Sequence, residues 1–496
     1  MNSKVTLHRL ATGVPGLDQI LGGGLPEFSF NLIVGLPGSG KTTLAHQIMF
    51  ALATRERPAL FFTVFGEPPL KMLRYQQQFS YFDLDKINDA VRYVNLSDDV
   101  ATGTFEQVLA RITQEVEAFS PALVFVDSFR SVMLASRHRS EGPISLQQFI
   151  QQLGILLSGW NATTFLIGEY SSERDPNPVL TVADGLLSLE QNVYRNSMVR
   201  KVQVIKMRGQ ATRPGIHSFR ITSAGIEIFP AAVVRIDTGD MTGVSGVLHN
   251  RARLSTGVPR LDEMLGGGLP SGYSLLVAGP SGSGKTILAT AFLSEGVRRG
   301  EPGVIVAFEQ TPSRSWIRTL DDLISNGQIG LINTRSLDLS IDEIVQNLSN
   351  LIQQMKATRV VIDSLSGFEL AVAPTFREDF RESLFRMVTV LSGLGVTVLM
   401  TSELEDRYVD LRFSPYGSAF LTDAIIVQRY IEVDSCLKRV MAVVKVRASA
   451  HSNEIRQFEI TDDGIDIGDP VLDVEGLLGG RPTRTIESDT LVQGKP

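Results

Sequence analysis

Two short stretches of the sequence have the residue types and the spacing that hold nucleotide phosphates. Residues 35–42 read Gly-Leu-Pro-Gly-Ser-Gly-Lys-Thr, and residues 279–286 read Gly-Pro-Ser-Gly-Ser-Gly-Lys-Thr. The glycines let backbone N–H groups curl round a phosphate, the lysine adds a positive charge, and the threonine hydroxyl is a magnesium ligand. Each stretch follows an apolar run typical of a strand and precedes a helical pattern, as this motif requires. We therefore predict two P-loops that bind ATP and Mg²⁺.

The predicted phosphate contacts are the motif residues themselves and one neighbour. They are Gly35, Gly38, Ser39, Gly40, Lys41, Thr42 and Thr43 in the first copy, and Gly279, Gly282, Ser283, Gly284, Lys285 and Thr286 in the second.

A bound magnesium ion also needs an acidic residue at the end of an apolar strand beside the P-loop strand. Asp127 follows Leu-Val-Phe-Val, and Asp363 follows Val-Val-Ile. The predicted metal ligands are therefore Thr42 with Asp127 and Thr286 with Asp363.

Hydrolysis of ATP requires a base that orients water. Glu67 and Glu309 follow the intervening apolar strand of each copy, so both are predicted catalytic bases. The two copies differ here, since Gly66 stands where Glu309 does in the second. Helix capping at the surface is the alternative for each glutamate.

The two motifs belong to a duplicated domain. Thr-Gly-Val-Pro-x-Leu-Asp occurs at residues 12–18 and 256–262, and Gly-Gly-Gly-Leu-Pro occurs at 22–26 and 266–270, with the same separation as the two P-loop lysines. We predict a first domain at 1–236, a linker at 237–253, a second domain at 254–477 and a flexible tail at 478–496. Short apolar runs that alternate with helical patterns predict an α/β fold with a mostly parallel sheet in each domain.

The composition excludes several classes of protein. A formal net charge of −7 provides no overall positive field that would attract nucleic acid or anionic lipid. The single cysteine, Cys436, cannot form a disulfide within the chain. No apolar run is long enough for a membrane span and no signal peptide precedes the first domain, so we expect a cytoplasmic protein.

With these motifs on one chain, the sequence resembles the KaiC family of bacterial clock-type ATPases, within the RecA-like group of P-loop proteins. The resemblance covers nearly the whole chain. It is carried by the two opening repeats, the two P-loops, Phe-Glu-x-Thr-Pro at 308–312, and closing blocks at 206–209, 445–464 and 480–484.

The resemblance implies two RecA-like domains in a two-tiered homohexamer with ATP between neighbouring subunits. It further implies that Lys206 and Arg208 of the first domain, and Lys445 and Arg447 of the second, reach the γ-phosphate held by a neighbour. An arginine there stabilises the charge of the transition state. A regulatory protein partner of clock or signalling type is implied as well.

The family's second domain is also a serine/threonine autokinase. Alignment places Ala419 and Phe420 on its two acceptor positions, and neither has a hydroxyl. Ser414, Ser418 and Thr422 are the nearby hydroxyl residues that autophosphorylation could use.

Two other functions share this fold. A nucleic-acid-dependent motor or recombinase is the main alternative, although the acidic balance and the lack of a Lys/Arg-rich loop disfavour it. A scaffold in which ATP only holds a ring together is the other, and Gly66 makes it plausible for the first domain.

Overall fold

The chain folds as two compact units, residues 1–231 and residues 232–496. No helix within the described ranges is long and apolar enough to cross a membrane. Of the predicted linker and tail, only residues 252–253 and 483–484 are described. The computed structural model describes residues 7–64, 69–102, 105–128, 152–156, 159, 161–168, 182–194, 197–231, 252–308, 314–333, 340–372, 380–404, 421–433, 435–471, 474–475 and 483–484.

The first unit is built round a nine-stranded sheet whose strand order is β5-β4-β6-β7-β3-β8-β9-β10-β11. The strands from β5 to β8 in that order are parallel, and the last three pairings are antiparallel. The strands are β1 (Arg9–Leu10), β2 (Leu25–Pro26), β3 (Phe30–Gly35), β4 (Ala59–Thr63), β5 (Val91–Asn95), β6 (Leu123–Asp127), β7 (Thr163–Gly168), β8 (Gly185–Tyr194), β9 (Ser197–Met207), β10 (Ile216–Thr222) and β11 (Gly225–Phe229). The helices are α1 (Leu17–Leu21), α2 (Lys41–Leu52), α3 (Pro69–Gln76), α4 (Ser97–Thr102) and α5 (Phe105–Phe119), with a 3₁₀ turn at Leu84–Lys86.

The second unit repeats this architecture with the order β16-β15-β17-β18-β14-β19-β20-β21-β22. Its strands are β12 (Arg253–Leu254), β13 (Leu269–Pro270), β14 (Ser274–Gly279), β15 (Gly303–Ala307), β16 (Ile329–Asn333), β17 (Arg359–Asp363), β18 (Thr397–Glu403), β19 (Ala424–Val433), β20 (Cys436–Val446), β21 (Ile455–Thr461), β22 (Gly464–Pro470), β23 (Val474–Glu475) and β24 (Thr483–Arg484). Its helices are α6 (Pro259–Met264), α7 (Lys285–Arg298), α8 (Arg314–Ser325), α9 (Ile341–Met355), α10 (Leu365–Ala371) and α11 (Phe380–Gly393).

Each central sheet is covered on both faces, which explains why its strands read as continuous apolar runs. In the first unit, Ile33 and Phe125 pack with α2 on one face, and Leu32 and Val124 pack with α5 on the other. The same two layers recur in the second unit round α7 and α9. The predicted α/β fold with two tandem, mostly parallel sheets is confirmed.

Parallel strands bring their carboxyl ends to one edge of the sheet, where ligands of open α/β folds bind. In the first unit β3 ends at the P-loop and β6 ends at Asp127. In the second, β14 ends at the P-loop and β17 ends at Asp363. The fold therefore brings each P-loop beside the aspartate that the sequence pairs with it.

Candidate nucleotide sites

Both P-loops turn directly from a buried strand into a buried helix. In the first, β3 ends at Gly35, and α2 begins at Lys41 after Gly40, whose φ is +98°. A Cβ at Gly35 would lie 2.1 Å from the carbonyl oxygen of Leu189. The strand beside β3 therefore leaves no room for a side chain there, and the loop can curl tightly only with glycine. In the second, Gly284 has φ +101° immediately before α7.

The P-loop lysines are buried and turned back onto their own loops. Lys41 Nζ donates to the Leu36 carbonyl at 2.8 Å. Lys285 Nζ donates to the carbonyls of Gly279 and Pro280 at 2.9 and 2.7 Å. Burial lowers the pKa of Lys41, and the negative charge of Asp127 acts in the opposite direction. Each loop thus holds a cation on a cradle of backbone groups, the arrangement that suits a polyphosphate.

The predicted magnesium ligands lie together in both units. Thr42 Oγ1 donates to Asp127 Oδ2 at 2.7 Å. Thr286 Oγ1 donates to Asp363 Oδ2 at 3.0 Å. These oxygen atoms are the hard ligands that Mg²⁺ prefers, and an ion that binds few protein groups obtains its other ligands from phosphates and water. The residues therefore fit a magnesium nucleotide.

The second site contains two polar side chains that the sequence analysis missed. Thr401 on β18 donates from Oγ1 to Asp363 Oδ1, so both carboxylate oxygens of Asp363 are held. Gln428 on β19 accepts a hydrogen bond from the P-loop residue Ser283 at 3.0 Å. The strand registers put Ile167 and Leu189 at the equivalent positions of the first unit. Neither of these apolar residues can make such a bond.

The first site differs by a buried histidine one turn along its P-loop helix. His46 is 0% exposed, its Nδ1 lies 2.8 Å from the carbonyl oxygen of Thr42, and its ring packs on Phe61 with centroids 4.4 Å apart. Burial lowers the pKa of His46 to about 4, so the imidazole is neutral near pH 7. Thr290 occupies this position in the second unit.

The predicted pairs Lys206–Arg208 and Lys445–Arg447 lie near the amino-terminal ends of the parallel strands, at the opposite edge of each sheet from the P-loop of the same unit. Lys206 pairs with Leu186 on β8, at the level of Leu32 on β3, whereas the P-loop begins at Gly35. Arg208 continues beyond Lys206, away from the loop. At about 3.3 Å per residue, the two residues lie roughly 10–16 Å from the P-loop along the strands.

The second unit has the same arrangement, with Lys445 paired to Ile425 at the level of Leu276. Each arginine is held by an aspartate at this edge. Arg208 Nη1 lies 3.2 Å from Asp184 Oδ1, and Arg447 Nη1 lies 3.2 Å from Asp423 Oδ1.

Burial is the main cause that lowers the pKa of Lys206 and of Lys445, and the neighbouring arginine contributes. Lys445 Nζ also donates to the carbonyl oxygen of Thr422 at 2.6 Å. The Thr422 side chain itself is 0% exposed.

Four predicted residues lie outside the described part of the chain: Glu67, Glu309, Ser414 and Ser418. The strands that precede the two glutamates, β4 and β15, do end at the same edge as the P-loops.

Comparison with known proteins agrees with this arrangement. A family model described as "ATPase: KaiC" matches residues 10–233 and 254–471. The chain is 27% identical over 492 residues to "Circadian clock oscillator protein KaiC 1" of Synechocystis sp., covering 96% of this chain and 92% of that protein. It is 27% identical over 498 residues to "Circadian clock oscillator protein KaiC" of Rippkaea orientalis, covering 97% and 93%. The protein of that name from Prochlorococcus marinus is 25% identical, covering 98% of both chains.

Proposed function

The chain belongs to the KaiC family of ATPases, and on that premise we propose that it is a homohexameric, magnesium-dependent ATPase whose sites are completed by the neighbouring subunit. The two matched segments support a division into two ATPase domains, for which we retain the bounds 1–236 and 254–477. The nucleic-acid-dependent alternative is not favoured, since the relatives named above are clock proteins.

One observation carries the proposal. Each unit has its P-loop at one edge of the sheet and its lysine–arginine pair at the other, so the pair does not reach the phosphates of its own unit. A ring in which each subunit presents this edge to the next one's P-loop would place Lys206 and Arg208, and likewise Lys445 and Arg447, on a neighbour's γ-phosphate. Head-to-tail interfaces form a ring when the rotation from one subunit to the next closes, as a hexamer requires.

The roles of the residues follow from their chemistry. Lys41 and Lys285 bind phosphate oxygens, and Thr42 with Asp127, like Thr286 with Asp363, would hold the metal ion. When bound, Mg²⁺ neutralises charge on the phosphate oxygens. Glu67 and Glu309 would orient the attacking water, and the arginines would stabilise the charge that develops on the γ-phosphoryl group.

The oligomeric part of the proposal is tested by sedimentation of the full chain with and without Mg²⁺ and a non-hydrolysable ATP analogue. We expect a species of six chains that depends on nucleotide and is lost when Lys41 and Lys285 are both changed to alanine. A monomer that hydrolyses ATP at the same rate per chain at every concentration would refute it.

Autophosphorylation of the second domain remains a prediction. Thr422 lies next to Lys445 at the edge that the ring would present to a neighbour, but its hydroxyl is buried and has no hydrogen-bond partner among the described residues. Phosphorylation of Thr422 would therefore require this segment to open. Intact-mass measurement after incubation with ATP shows whether the chain is phosphorylated, because each phosphate adds a fixed mass, and peptide masses then assign it to one of the three residues.

The family's clock members also suggest the output. We propose that the ring signals through a regulatory protein partner that distinguishes its nucleotide states. Capture of that partner by chains locked with ATP analogue, but not by chains with ADP, is the expected result.

A further inference from the structure

A cavity of about 380 Å³ lies beside the second P-loop. Thr286 and Ile287, from the first turn of α7, line the part that adjoins the phosphate cradle, and the turn Thr461–Gly464 between β21 and β22 forms another wall. Cavities of about 300–1,000 Å³ are usual for small-molecule sites. The cavity therefore adjoins the place where the proposed function puts the phosphates of a nucleotide.

Several side chains in the wall of this cavity are polar. Asp462 and Asp463 contribute carboxylates at the turn, and Thr290 and Ser294 contribute hydroxyls from α7. The Ser294 oxygen is buried and has no hydrogen-bond partner among the described residues. A carboxylate of an ionised aspartate only accepts hydrogen bonds, so the turn favours a ligand that presents N–H groups.

A third carboxylate in the wall is already neutralised. Glu295 forms ion pairs with Arg298 at 2.7 Å and with Arg299 at 2.6 Å. These arginines hold the pKa of Glu295 at about 2. The acceptors that distinguish this cavity are therefore the two aspartates of the turn.

The corresponding space in the first unit is filled by the protein itself. Gln47 stands in place of Ala291 and forms two hydrogen bonds with the backbone of Ile226. Its Nε2 donates to the Ile226 carbonyl oxygen at 3.1 Å, and its Oε1 accepts from the Ile226 N–H at 2.7 Å. Phe50, in place of Ser294, packs against Tyr81 and Phe82, with ring centroids 6.3 and 4.9 Å away.

The aromatic residues belong to residues 79–82, which we call the aromatic segment. Ser80 of this segment donates its backbone N–H to the carbonyl oxygen of Ser223, in the turn that corresponds to Asp462 and Asp463. The segment therefore covers that turn in the first unit.

The difference arises from the length of one connection. The aromatic segment lies between the end of α3 at Gln76 and the start of β5 at Val91. The equivalent helix in the second unit ends at Ser325, and its strand begins at Ile329, so the connection has no room for such a segment.

The room for a side chain at the glycine of each turn differs in the same way. A Cβ on Gly225 would lie 2.5 Å from the Gln47 amide oxygen and 2.8 Å from the Tyr81 ring. A Cβ on the equivalent Gly464 would meet no atom of the described residues within 4 Å. The turn is closed in the first unit and open in the second.

We propose that the second site discriminates less strongly between purine bases than the first, and accepts guanine as well as adenine nucleotides. This inference rests on the proposed function, because the P-loop must hold the phosphates for the base to lie beside α7. The aromatic segment narrows the space for a base in the first unit. In the second unit the base meets an open cavity and two carboxylates, to which the amino group of either purine can donate.

The test uses chains in which one P-loop lysine has been removed. Lys41→Ala leaves the second site intact, and Lys285→Ala leaves the first. Calorimetry then gives the dissociation constants of the non-hydrolysable analogues AMP-PNP and GMP-PNP for each chain in the presence of Mg²⁺. We expect the ratio of the guanine to the adenine constant to be about tenfold smaller at the second site than at the first.

Two results would count against us in distinguishable ways. Equal ratios at the two sites, with AMP-PNP bound at both, would overturn the inference and leave the proposed function standing. If AMP-PNP bound at neither site, both the inference and the proposed function would be overturned.

Matched variants locate the cause at the turn. Asp462→Ser with Asp463→Ala copies the first unit's turn into the Lys41→Ala chain. This change should weaken GMP-PNP binding about tenfold and AMP-PNP binding less. The reason is that guanine presents two adjacent donor groups to the carboxylates, whereas adenine presents one. The reverse change, Ser223→Asp with Ala224→Asp in the Lys285→Ala chain, should leave its ratio unchanged, since the aromatic segment covers that turn. Equal losses of both analogues in the first pair would contradict the assignment.

Discussion

Replacement of Thr401 by valine should weaken the response of the second site to magnesium. The variant keeps the shape of this fully buried side chain but removes the hydroxyl that donates to Asp363 Oδ1. The Thr286 hydroxyl at 3.0 Å from Oδ2 then remains as the contact that orients the carboxylate from the P-loop side. The change therefore affects how Asp363 is held without altering any predicted metal ligand.

The size of the effect follows from the kind of bond that is lost. A hydrogen bond to a charged group contributes about 1.5–3 kcal/mol, and about 1.4 kcal/mol corresponds to a factor of ten in affinity. Loss of a group that orients a metal ligand typically costs about 10–100-fold in metal affinity or activity. Because Thr286 still holds the carboxylate, we expect the low end, an increase of about tenfold in the Mg²⁺ concentration that half-saturates the second site.

The assay is a magnesium titration of both nucleotide binding and steady-state turnover. Turnover of the Lys285→Ala chain gives the contribution of the first site, which is subtracted. The matched control is Ile167→Thr, which offers a hydroxyl at the equivalent position of the first unit and should lower the Mg²⁺ requirement there. An unchanged half-saturating concentration in Thr401→Val would refute the role assigned to Thr401.

The remaining predictions concern stability. Glu301→Ala should destabilise the second unit by about 2 kcal/mol in urea denaturation, because it leaves the guanidinium of Arg359, which is 0% exposed, without its carboxylate at 2.7 Å. Asp89→Ala, which breaks the exposed ion pair with Arg55, is the control and should leave the free energy of unfolding almost unchanged. The first unit should lose stability as the pH falls below about 6.5, since burial lowers the pKa of His217 and the unfolded chain then takes up a proton that the folded chain does not. His217→Gln should reduce the dependence of Tm on pH and leave the part that the buried His46 contributes, and an equal dependence in both proteins would show that His217 does not resist protonation in the folded chain.

Local sequence was sufficient for the features whose determinants are contiguous. The P-loops were predictable because glycine and lysine spacing alone fixes the turn from strand to helix. The apolar run before the first P-loop and the run before Asp363 are the strands Phe30–Gly35 and Arg359–Asp363. Such runs are recognisable because both faces of these sheets are buried.

Features that depend on the register between distant segments were not predictable in this way. Thr401 contacts Asp363 because β18 lies beside β17 in a particular register. Gln428 reaches the P-loop because β19 pairs with β14. The positions of Thr401 and Gln428 in their apolar strands resemble those of ordinary core residues, and only the paired sheet shows that they face the site.

The comparison of the two copies was the more useful signal. Ile167 in place of Thr401 and the aromatic segment in place of a short connection each mark a difference between the sites. The difference predicted from the sequence, at Gly66 and Glu309, lies outside the described residues. The described residues show further differences at the hydrogen bonds of Asp363 and at the cavity beside α7.

The most direct test is complementation between two chains whose second sites are inactive for different reasons. Lys285→Ala removes the second P-loop lysine, and Arg447→Ala removes the arginine proposed to act on a neighbour. In a mixed ring, an Arg447→Ala chain still has an intact P-loop, and a Lys285→Ala neighbour can supply the arginine. Turnover above the background of the doubly substituted chain should therefore appear on mixing equal amounts, at about a quarter of the second-site activity if the chains assemble at random. Turnover that stays at that background would show that Arg447 acts within its own chain, and would contradict the account.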